Sequence, residues 1–249
     1  MSTLYLDRRD LALKLEGNAL AVYAGEARRG TVPLHLLDTV VMHSAVTLQS
    51  SLLARLADAG VGIVAFGGRN AGKTALVHGK GHNDGARRVG QYQRYQDAGW
   101  CSAWARRLVR GKLHRQQRLL RRALAERTDL RHPLHQALER LGAARARLRA
   151  EPTLDMDTLR GVEGAAAAAY FAGFTHLFAP ALGFAGRNRR PPKDPVNAAL
   201  SLGYTLLHYE AVRACHIAGL DPIIGFYHRL DFGRESLASD LIEPLRPAV

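Results

Sequence analysis

The sequence is poor in cysteine and in acidic residues. Its 249 residues include two cysteines, Cys101 and Cys215, and neither belongs to a Cys-x-x-Cys pair. The sequence therefore indicates neither a disulfide framework nor a thiolate metal site, and we expect a reducing, cytoplasmic setting. The N-terminus lacks a basic start followed by an apolar core and a small-residue cleavage site, so no export signal is expected.

Long hydrophobic runs are also scarce. The exception is "GAAAAAYFAGFTHLFAPALGFAG", residues 164–186, which is long enough to cross a bilayer. This run relies on alanine and glycine, contains His176 and Pro180, and begins beside Glu163. We expect a pair of buried helices here, and no membrane as a partner.

The shortage of acids leaves a strongly basic chain. Lys and Arg number 35 against 22 Asp and Glu, a net charge of +13. Residues 86–150 contain seventeen Arg or Lys and four Asp or Glu, an excess of thirteen that alone equals the net charge of the chain. With a hydrophobic content of 47%, this balance predicts a globular protein with a polyanionic partner, nucleic acid before an anionic membrane.

The pattern of the chain changes near residue 85. Before it, "LYL", "LALKLE" and "ALAVYA" predict short strands, the last two joined by a tight turn at Gly17-Asn18. Residues 47–60 have helical spacing that ends at Gly60. From Arg87 onward, long helices rich in Ala, Leu and Arg dominate. The predicted fold class is α+β, with a small, mostly β N-terminal domain (residues 1–85) and a larger all-α catalytic domain (residues 86–249).

One motif suggests a nucleotide hydrolase. "GGRNAGKT", residues 67–74, fits the phosphate-loop pattern. Such a loop works where a strand turns directly into a helix whose N-terminus faces the phosphates, which would require Lys73 and Thr74 at a helix start. The following "ALVHGKGHNDGARR" is interrupted by glycines, so we predict a hairpin with strands at 63–66 and 74–78 instead. Of the three functions that the sequence suggests, two of which are introduced below, a phosphate-loop hydrolase is the least favoured.

Two basic segments are candidates for DNA contacts. In the first long basic helix, apolar residues from Trp104 to Leu124 can form an inward stripe that leaves the arginines outward, with few acids to pair with them. The second is a loop, residues 187–195, stiffened by prolines and followed by a helix that we expect Asn197 to cap and Gly219 to end. The predicted DNA-binding residues are Arg110, Arg118, Arg121, Arg122, Arg187, Arg189, Arg190 and Lys193.

Four residues could carry chemistry. Asp240 and Glu243 lie three apart, so a helix would place them on neighbouring parts of one face. With His228 and Glu163 they would form a mixed nitrogen and oxygen site, which suits magnesium or manganese. Each residue also has a simpler explanation: a solvated helix edge for the pair, a hydrogen-bonded loop histidine, and an acid in the first turn of a helix for Glu163. Spacing alone does not unite them.

Three longer blocks carry a resemblance. "GVEGAAAAAYFAGF", "RRPPKDPVNAALSLGYTLL" and "GFYHRLDFGRESLASDLIEPLRP" together resemble the signature blocks of the CRISPR-associated adaptation integrase, a metal-dependent endonuclease that inserts new spacers into the repeat array. The blocks stand in the family's order and near its spacings. The strand-rich N-terminal part followed by helices extends the resemblance over nearly the whole chain.

The resemblance implies a catalytic set of Glu163, His228, Asp240 and Glu243. In it, Glu163, His228 and Glu243 surround Mg²⁺ or Mn²⁺, with Asp240 as an acidic partner; the family often has Asp where this chain has Glu243. It also implies attack of a DNA 3′-hydroxyl on a phosphodiester of repeat DNA. The implied partners are a short duplex with single-stranded ends, a second copy of the chain that forms a homodimer, for which we expect contact through the N-terminal domain, and a small second CRISPR adaptation protein.

The resemblance leaves one alternative and one departure. A non-catalytic, basic DNA-binding scaffold of the same fold would need only Arg and Lys, with affinity that falls steeply in salt. The integrase needs Glu163, His228 and Glu243 to converge. Family members commonly continue beyond Pro247 for several helical turns, whereas this chain stops at Val249, so we expect a helical domain shortened at its C-terminus.

Overall fold

A computed structural model describes residues 2–67, 74–79, 81–188 and 191–249. The chain divides into two compact units, one formed by Met1–Asp84 with His216–Leu220 and the other by Gly85–Cys215 with Asp221–Val249. The first contains the strands and the second is helical. The predicted α+β fold class is therefore confirmed.

The first unit is built on short strands and one helix. The elements are β1 (Thr3–Leu6), β2 (Leu11–Glu16), β3 (Ala19–Ala24), β4 (Ala27–Pro33), β5 (Thr39–Met42), β6 (Val46–Leu48), α1 (Ser50–Asp58), β7 (Gly62–Phe66) and β8 (Thr74–Val77). The strands form two four-stranded sheets with the orders β1-β5-β7-β8 and β4-β3-β2-β6. In the first sheet the last pair is antiparallel and the others parallel; in the second, β2 and β6 are parallel and the others antiparallel.

Both predicted hairpins of this unit are present. Strands β2 and β3 pair with Glu16 opposite Ala19, and the two-residue turn between them has positive φ at Gly17, as a type II′ turn requires. Strands β7 and β8 pair with Phe66 opposite Thr74. A strand, not a helix, therefore begins at Thr74, which removes the context a phosphate loop needs. The turn itself, residues 68–73, lies outside the described residues.

The second unit is helical. Its helices are α2 (Gly85–Gln96), α3 (Ala98–Glu126), α4 (Arg131–Ala150), α5 (Met156–Phe174), α6 (Pro195–Ala218) and α7 (Ser236–Ile242). The core is formed by α3, α4 and α5, and fully buried leucines recur along α4 at Leu134, Leu141 and Leu148. A Cβ on Gly173 would lie 2.7 Å from the Cβ of Ala137, so glycine is needed where α5 approaches α4.

Two expectations for this unit were wrong. Residues 164–186 do not form a helix pair: α5 ends at Phe174, and short 3₁₀ turns follow at Thr175–Leu177 and Pro180–Leu182. Asn197 does not cap α6 either, because the helix begins two residues earlier and Asp194 accepts the hydrogen bond from the Asn197 backbone N–H.

Within the described parts of the chain, no helix has both the length and the apolarity that crossing a membrane requires.

Candidate functional site

The site begins with Asp240, a carboxylate with no exposed surface. One of its oxygens accepts hydrogen bonds from the backbone N–H groups of Phe226 and Tyr227, at 2.7 and 3.0 Å. The other accepts from the backbone N–H of His228 at 2.9 Å and lies 2.6 Å from its ring Nδ1. These contacts give both oxygens of the buried Asp240 carboxylate hydrogen-bond partners, and they fix the ring of His228 at the same time.

The loop before His228 is held against α7. A Cβ on Gly225 would lie only 2.6 Å from the carbonyl carbon of Ser236, so no other residue fits without movement. The backbone N–H of Leu237 donates to the carbonyl of Pro222 at 2.8 Å. From α2, the side chain of Gln91 donates to the carbonyls of Asp221 and Ile224. The sequence "DPIIGFYH" therefore packs closely enough to bring His228 over Asp240.

Glu243 follows the last residue of α7 and faces the other side of the histidine. Its Oε1 lies 3.9 Å from His228 Nε2 and 3.1 Å from the guanidinium of Arg246. Its Oε2 accepts a hydrogen bond of 2.6 Å from Lys112 Nζ. The same ammonium group contacts Glu163 Oε1. A lysine of α3 thus bridges the carboxylates of α5 and of the segment after α7.

The charges around Glu243 keep it ionised. Burial by itself would raise the pKa of this carboxyl, but Lys112 and Arg246, aided by the hydrogen bond from Lys112, lower it below its ordinary value. The pKa of the neighbouring Tyr227 hydroxyl is raised, first by burial and then by the charges of Glu163 and Glu243. Tyr227 therefore lines the site as an uncharged phenol.

A cavity of about 380 Å³ opens beside these side chains. Its lining brings together two carboxylates, one imidazole, one phenol and three guanidinium groups. Such walls suit a phosphate ester held close to a cation. The lining residues are Arg160, Glu163, Tyr227, His228, Arg229, Arg234 and Glu243.

The donor set fits a divalent cation in kind. Two carboxylates and one imidazole nitrogen suit Mn²⁺ or Mg²⁺. Asp240 engages Nδ1 of His228 and leaves Nε2 on the side of Glu243, which is the arrangement of metal-binding histidines with a carboxylate partner. As the side chains stand, however, no three His, Cys, Asp or Glu residues of the described ranges form a group that could hold an ion. Lys112 lies between the two carboxylates instead.

A separate basic surface lies on α3 and α4. Arg110, Arg118, Arg121 and Arg122 are all exposed, and Arg122 pairs with Glu126 one turn later. The pKa of Arg145 on α4 is lowered, first by burial and then by the positive charges of three nearby arginines, Arg149, Arg121 and Arg110. These side chains therefore form one concentrated positive patch.

Comparison with known proteins identifies the family. The model of the family "CRISPR associated protein Cas1" matches residues 4–249. A CRISPR-associated endonuclease Cas1 from Thermodesulfovibrio yellowstonii is 40% identical over 252 residues, which cover 99% of this chain and 76% of that protein. The chain belongs to the Cas1 family.

Two solved structures have a fold similar to that of this Cas1 family member. A casposase bound to an integration product has a TM-score of 0.75 at 20% identity, over 99% of this chain and 70% of the casposase chain. A Cas6-RT-Cas1–Cas2 complex has a TM-score of 0.73 at 25% identity, over 98% of this chain and 26% of the larger one. At such identities the likeness to the casposase concerns the fold alone.

The structure brings together the four residues that the resemblance to the Cas1 family implied. Glu163, His228 and Glu243 line one cavity, and the carboxylate of Asp240 contacts the ring Nδ1 of His228. The simpler explanations for the carboxylates were wrong: Asp240 and Glu243 are buried, and Glu163 lies two turns inside α5, because that helix begins after its cap Asp155. His228 fits both interpretations, that of a hydrogen-bonded loop histidine and that of a site residue, because its ring contacts Asp240 and also lines the cavity.

The predicted DNA-binding residues fall into three groups. The four arginines of α3 and Lys193 are exposed. Arg187 is half-buried and donates to Asn197 Oδ1 at 2.8 Å and to Ser201 Oγ at 3.1 Å, so it fastens its loop to α6, and its contact with DNA stays a prediction. Arg189 and Arg190 lie outside the described residues.

Sequence reasoning missed the cations of the site. Lys112 was counted only as part of the basic segment, yet it stands one turn after Leu108 and next to Leu113 in the inward stripe of α3. A lysine in an apolar stripe is the signal of a buried, paired ammonium group. Arg160, Arg229, Arg234 and Arg246 carry no such signal, because loop and surface arginines are common throughout this chain.

Proposed function

We propose that this chain is a divalent-metal-dependent DNA integrase and endonuclease that joins a DNA 3′-hydroxyl to a phosphodiester of a CRISPR repeat. The observation that carries the proposal is the convergence of Glu163, His228 and Glu243 on one cavity, from three separate segments of the chain. Membership of the Cas1 family, whose relative from Thermodesulfovibrio yellowstonii is named an endonuclease, supports the same class of chemistry.

The residues of the site divide the work. Glu163, Glu243 and the Nε2 atom of His228 would hold Mg²⁺ or Mn²⁺. The cation would orient the reacting oxygens and offset the negative charge that grows on the phosphate. Asp240 fixes the ring of His228 and buries its own charge under three backbone N–H groups. Arg160, Arg229 and Arg234, on the cavity wall, would bind the non-bridging phosphate oxygens.

The proposed reaction exchanges one phosphodiester bond for another and needs neither an oxidant nor a reductant. The oxygen of the attacking 3′-hydroxyl forms a new bond to phosphorus, and the bond from phosphorus to the 3′-oxygen of the repeat strand breaks. The attacking oxygen loses its proton to solvent and the leaving oxygen takes one up, so a new 3′-hydroxyl is released. Hydrolysis is the same substitution with water as the nucleophile.

The partners follow from the charge and the comparisons. The arginine patch on α3 and α4 would bind the backbone of a short duplex, whose single-stranded 3′ end must reach the cavity. The chain would act as a homodimer with a small second adaptation protein. A Cas6-RT-Cas1–Cas2 complex among the similar structures supports that last partner.

The test is strand transfer of a labelled short duplex into supercoiled DNA that contains a repeat, with Mn²⁺, Mg²⁺ or chelator, and with the second adaptation protein present. We expect metal-dependent joining by the wild type and a loss of at least about 100-fold in Glu163→Gln, which removes one charged ligand. Glu139→Gln, the same change at an exposed position of α4, should join normally. If well-folded wild type binds the DNA but neither joins nor cuts it with any metal, the chain is a non-catalytic scaffold.

A further inference from the structure

Lys112 occupies the position between the two carboxylates of the site. Its Nζ lies 2.6 Å from Glu243 Oε2 and also contacts Glu163 Oε1, while its residue is only 9% exposed. An ion that bridged these oxygens would need the same space. We infer that Lys112 is the resident cation of the metal-free site, and that a divalent metal ion binds by displacing its ammonium group.

The charges explain why a resident cation is needed. Glu243 is 5% exposed, and the carboxylate of Glu163, whose side chain is 21% exposed, lies on the other side of the same ammonium group. Two carboxylates side by side in a site with so little exposure to water repel each other unless a cation stands between them. Arg246 contacts Oε1 of Glu243, so it leaves Oε2 and Glu163 to the lysine.

The chemistry of lysine suits a replaceable cation. Its ammonium group is a single charge on a flexible stem of four methylene groups, so it can withdraw without a movement of α3. A guanidinium group would hold a carboxylate through two parallel hydrogen bonds and would leave less readily. Lys112 therefore keeps the carboxylates spaced for a cation and lowers the apparent affinity for metal, because the competent site must first be vacated.

This inference rests on the proposed metal site, and binding of Mn²⁺ alone tests it without any DNA or activity. We compare the wild type, Lys112→Met and Lys112→Gln by calorimetry and by the electron paramagnetic resonance signal of free Mn²⁺. Lys193→Met is the matched control, because Lys193 is an exposed lysine of the same unit. Glutamine can still donate hydrogen bonds to both carboxylates, so it preserves the fold if methionine does not.

We expect Mn²⁺ to bind about tenfold or more tightly to Lys112→Met than to the wild type, since the site no longer has to be vacated. Lys112→Gln should also bind Mn²⁺ more tightly than the wild type, because a neutral amide leaves two carboxylates more readily than an ammonium group does. The melting temperature of the metal-free Lys112→Met variant should fall, and saturating Mn²⁺ should raise it by more than in the wild type. Lys193→Met should match the wild type in both measurements.

A second measurement needs no variant. Brief treatment of the wild type with a lysine-acylating reagent should leave Lys112 largely unmodified without metal, because its amine is buried and ion-paired. With saturating Mn²⁺, mass spectrometry should find a several-fold faster modification of Lys112 and no change at Lys193.

The outcomes separate the two proposals. If wild type binds Mn²⁺ but the Lys112 variants bind it equally or more weakly, and metal leaves the acylation of Lys112 unchanged, then displacement is refuted and the metal site stands. If neither the wild type nor the variants bind Mn²⁺ at millimolar concentration, the metal-dependent function itself is refuted, and Lys112 is a permanent member of a buried ion-pair network.

Discussion

At the scale of single residues, one carboxylate organises the loop that carries His228. Asp240 accepts from three consecutive backbone N–H groups and from the histidine ring, so it acts as a buried anchor. The same carboxylate thus links stability to function. Its removal should affect the fold of the loop and, together with it, the position of the His228 imidazole that we propose as a metal ligand.

The Asp240→Asn variant should therefore lose both stability and metal affinity. An amide has one acceptor oxygen, so some of these buried N–H groups lose their partner and face an NH₂ group instead, at a cost of about 2 to 4 kcal/mol. Urea unfolding should show that loss, and calorimetry should show Mn²⁺ binding weakened by about 10- to 100-fold. Asp231→Asn, at an exposed position in the next turn, should change neither; equal effects of both variants would contradict the anchoring role.

At the scale of elements, the predictable features were those that neighbouring residues determine. The short apolar segments "LALKLE" and "ALAVYA" and the turn between them predicted β2 and β3 at their observed bounds. Helix starts were harder, because several residues near each start can cap. Asp155 caps α5 two turns before Glu163, and Asp194 is the acceptor at the start of α6 where Asn197 was expected.

The real role of Asn197 is to fasten a loop to α6. It is fully buried, its amide N–H groups donate to Gly186 O and to Asp194, and its oxygen accepts from the backbone of Asn188 and from Arg187. Asn197→Ala should reduce the free energy of unfolding by about 2 to 4 kcal/mol, because several buried polar groups lose their partners. Chemical denaturation measures this loss, with Lys193→Ala as an exposed control in the same loop. A loss below about 0.5 kcal/mol would refute the fastening role.

At the scale of the whole molecule, the sequence predicted the fold class and the general nature of the partner, but not the arrangement of the site. Composition located the positive charge on residues 86–150, the segment that forms α2, α3 and α4. No pattern in the sequence joins Lys112 to Glu163 and Glu243, which are 51 and 131 residues away. Such contacts arise from tertiary packing, and only the resemblance to a family brought the carboxylates and the histidine together in advance.

The overall charge leads to a prediction about DNA binding. If the patch on α3 contacts phosphates, changing Arg110, Arg118 and Arg121 to Ala should weaken binding of a short duplex at every sequence. It should also reduce the slope of log affinity against log salt by up to about 3, since each lost phosphate contact changes the slope by about 0.9. Fluorescence anisotropy across a salt series measures both. The matched control changes Arg8, Arg9 and Arg29, three exposed arginines of the first unit, to Ala. If both triple variants reduce the slope equally, binding follows net charge and the patch on α3 has no special part in it.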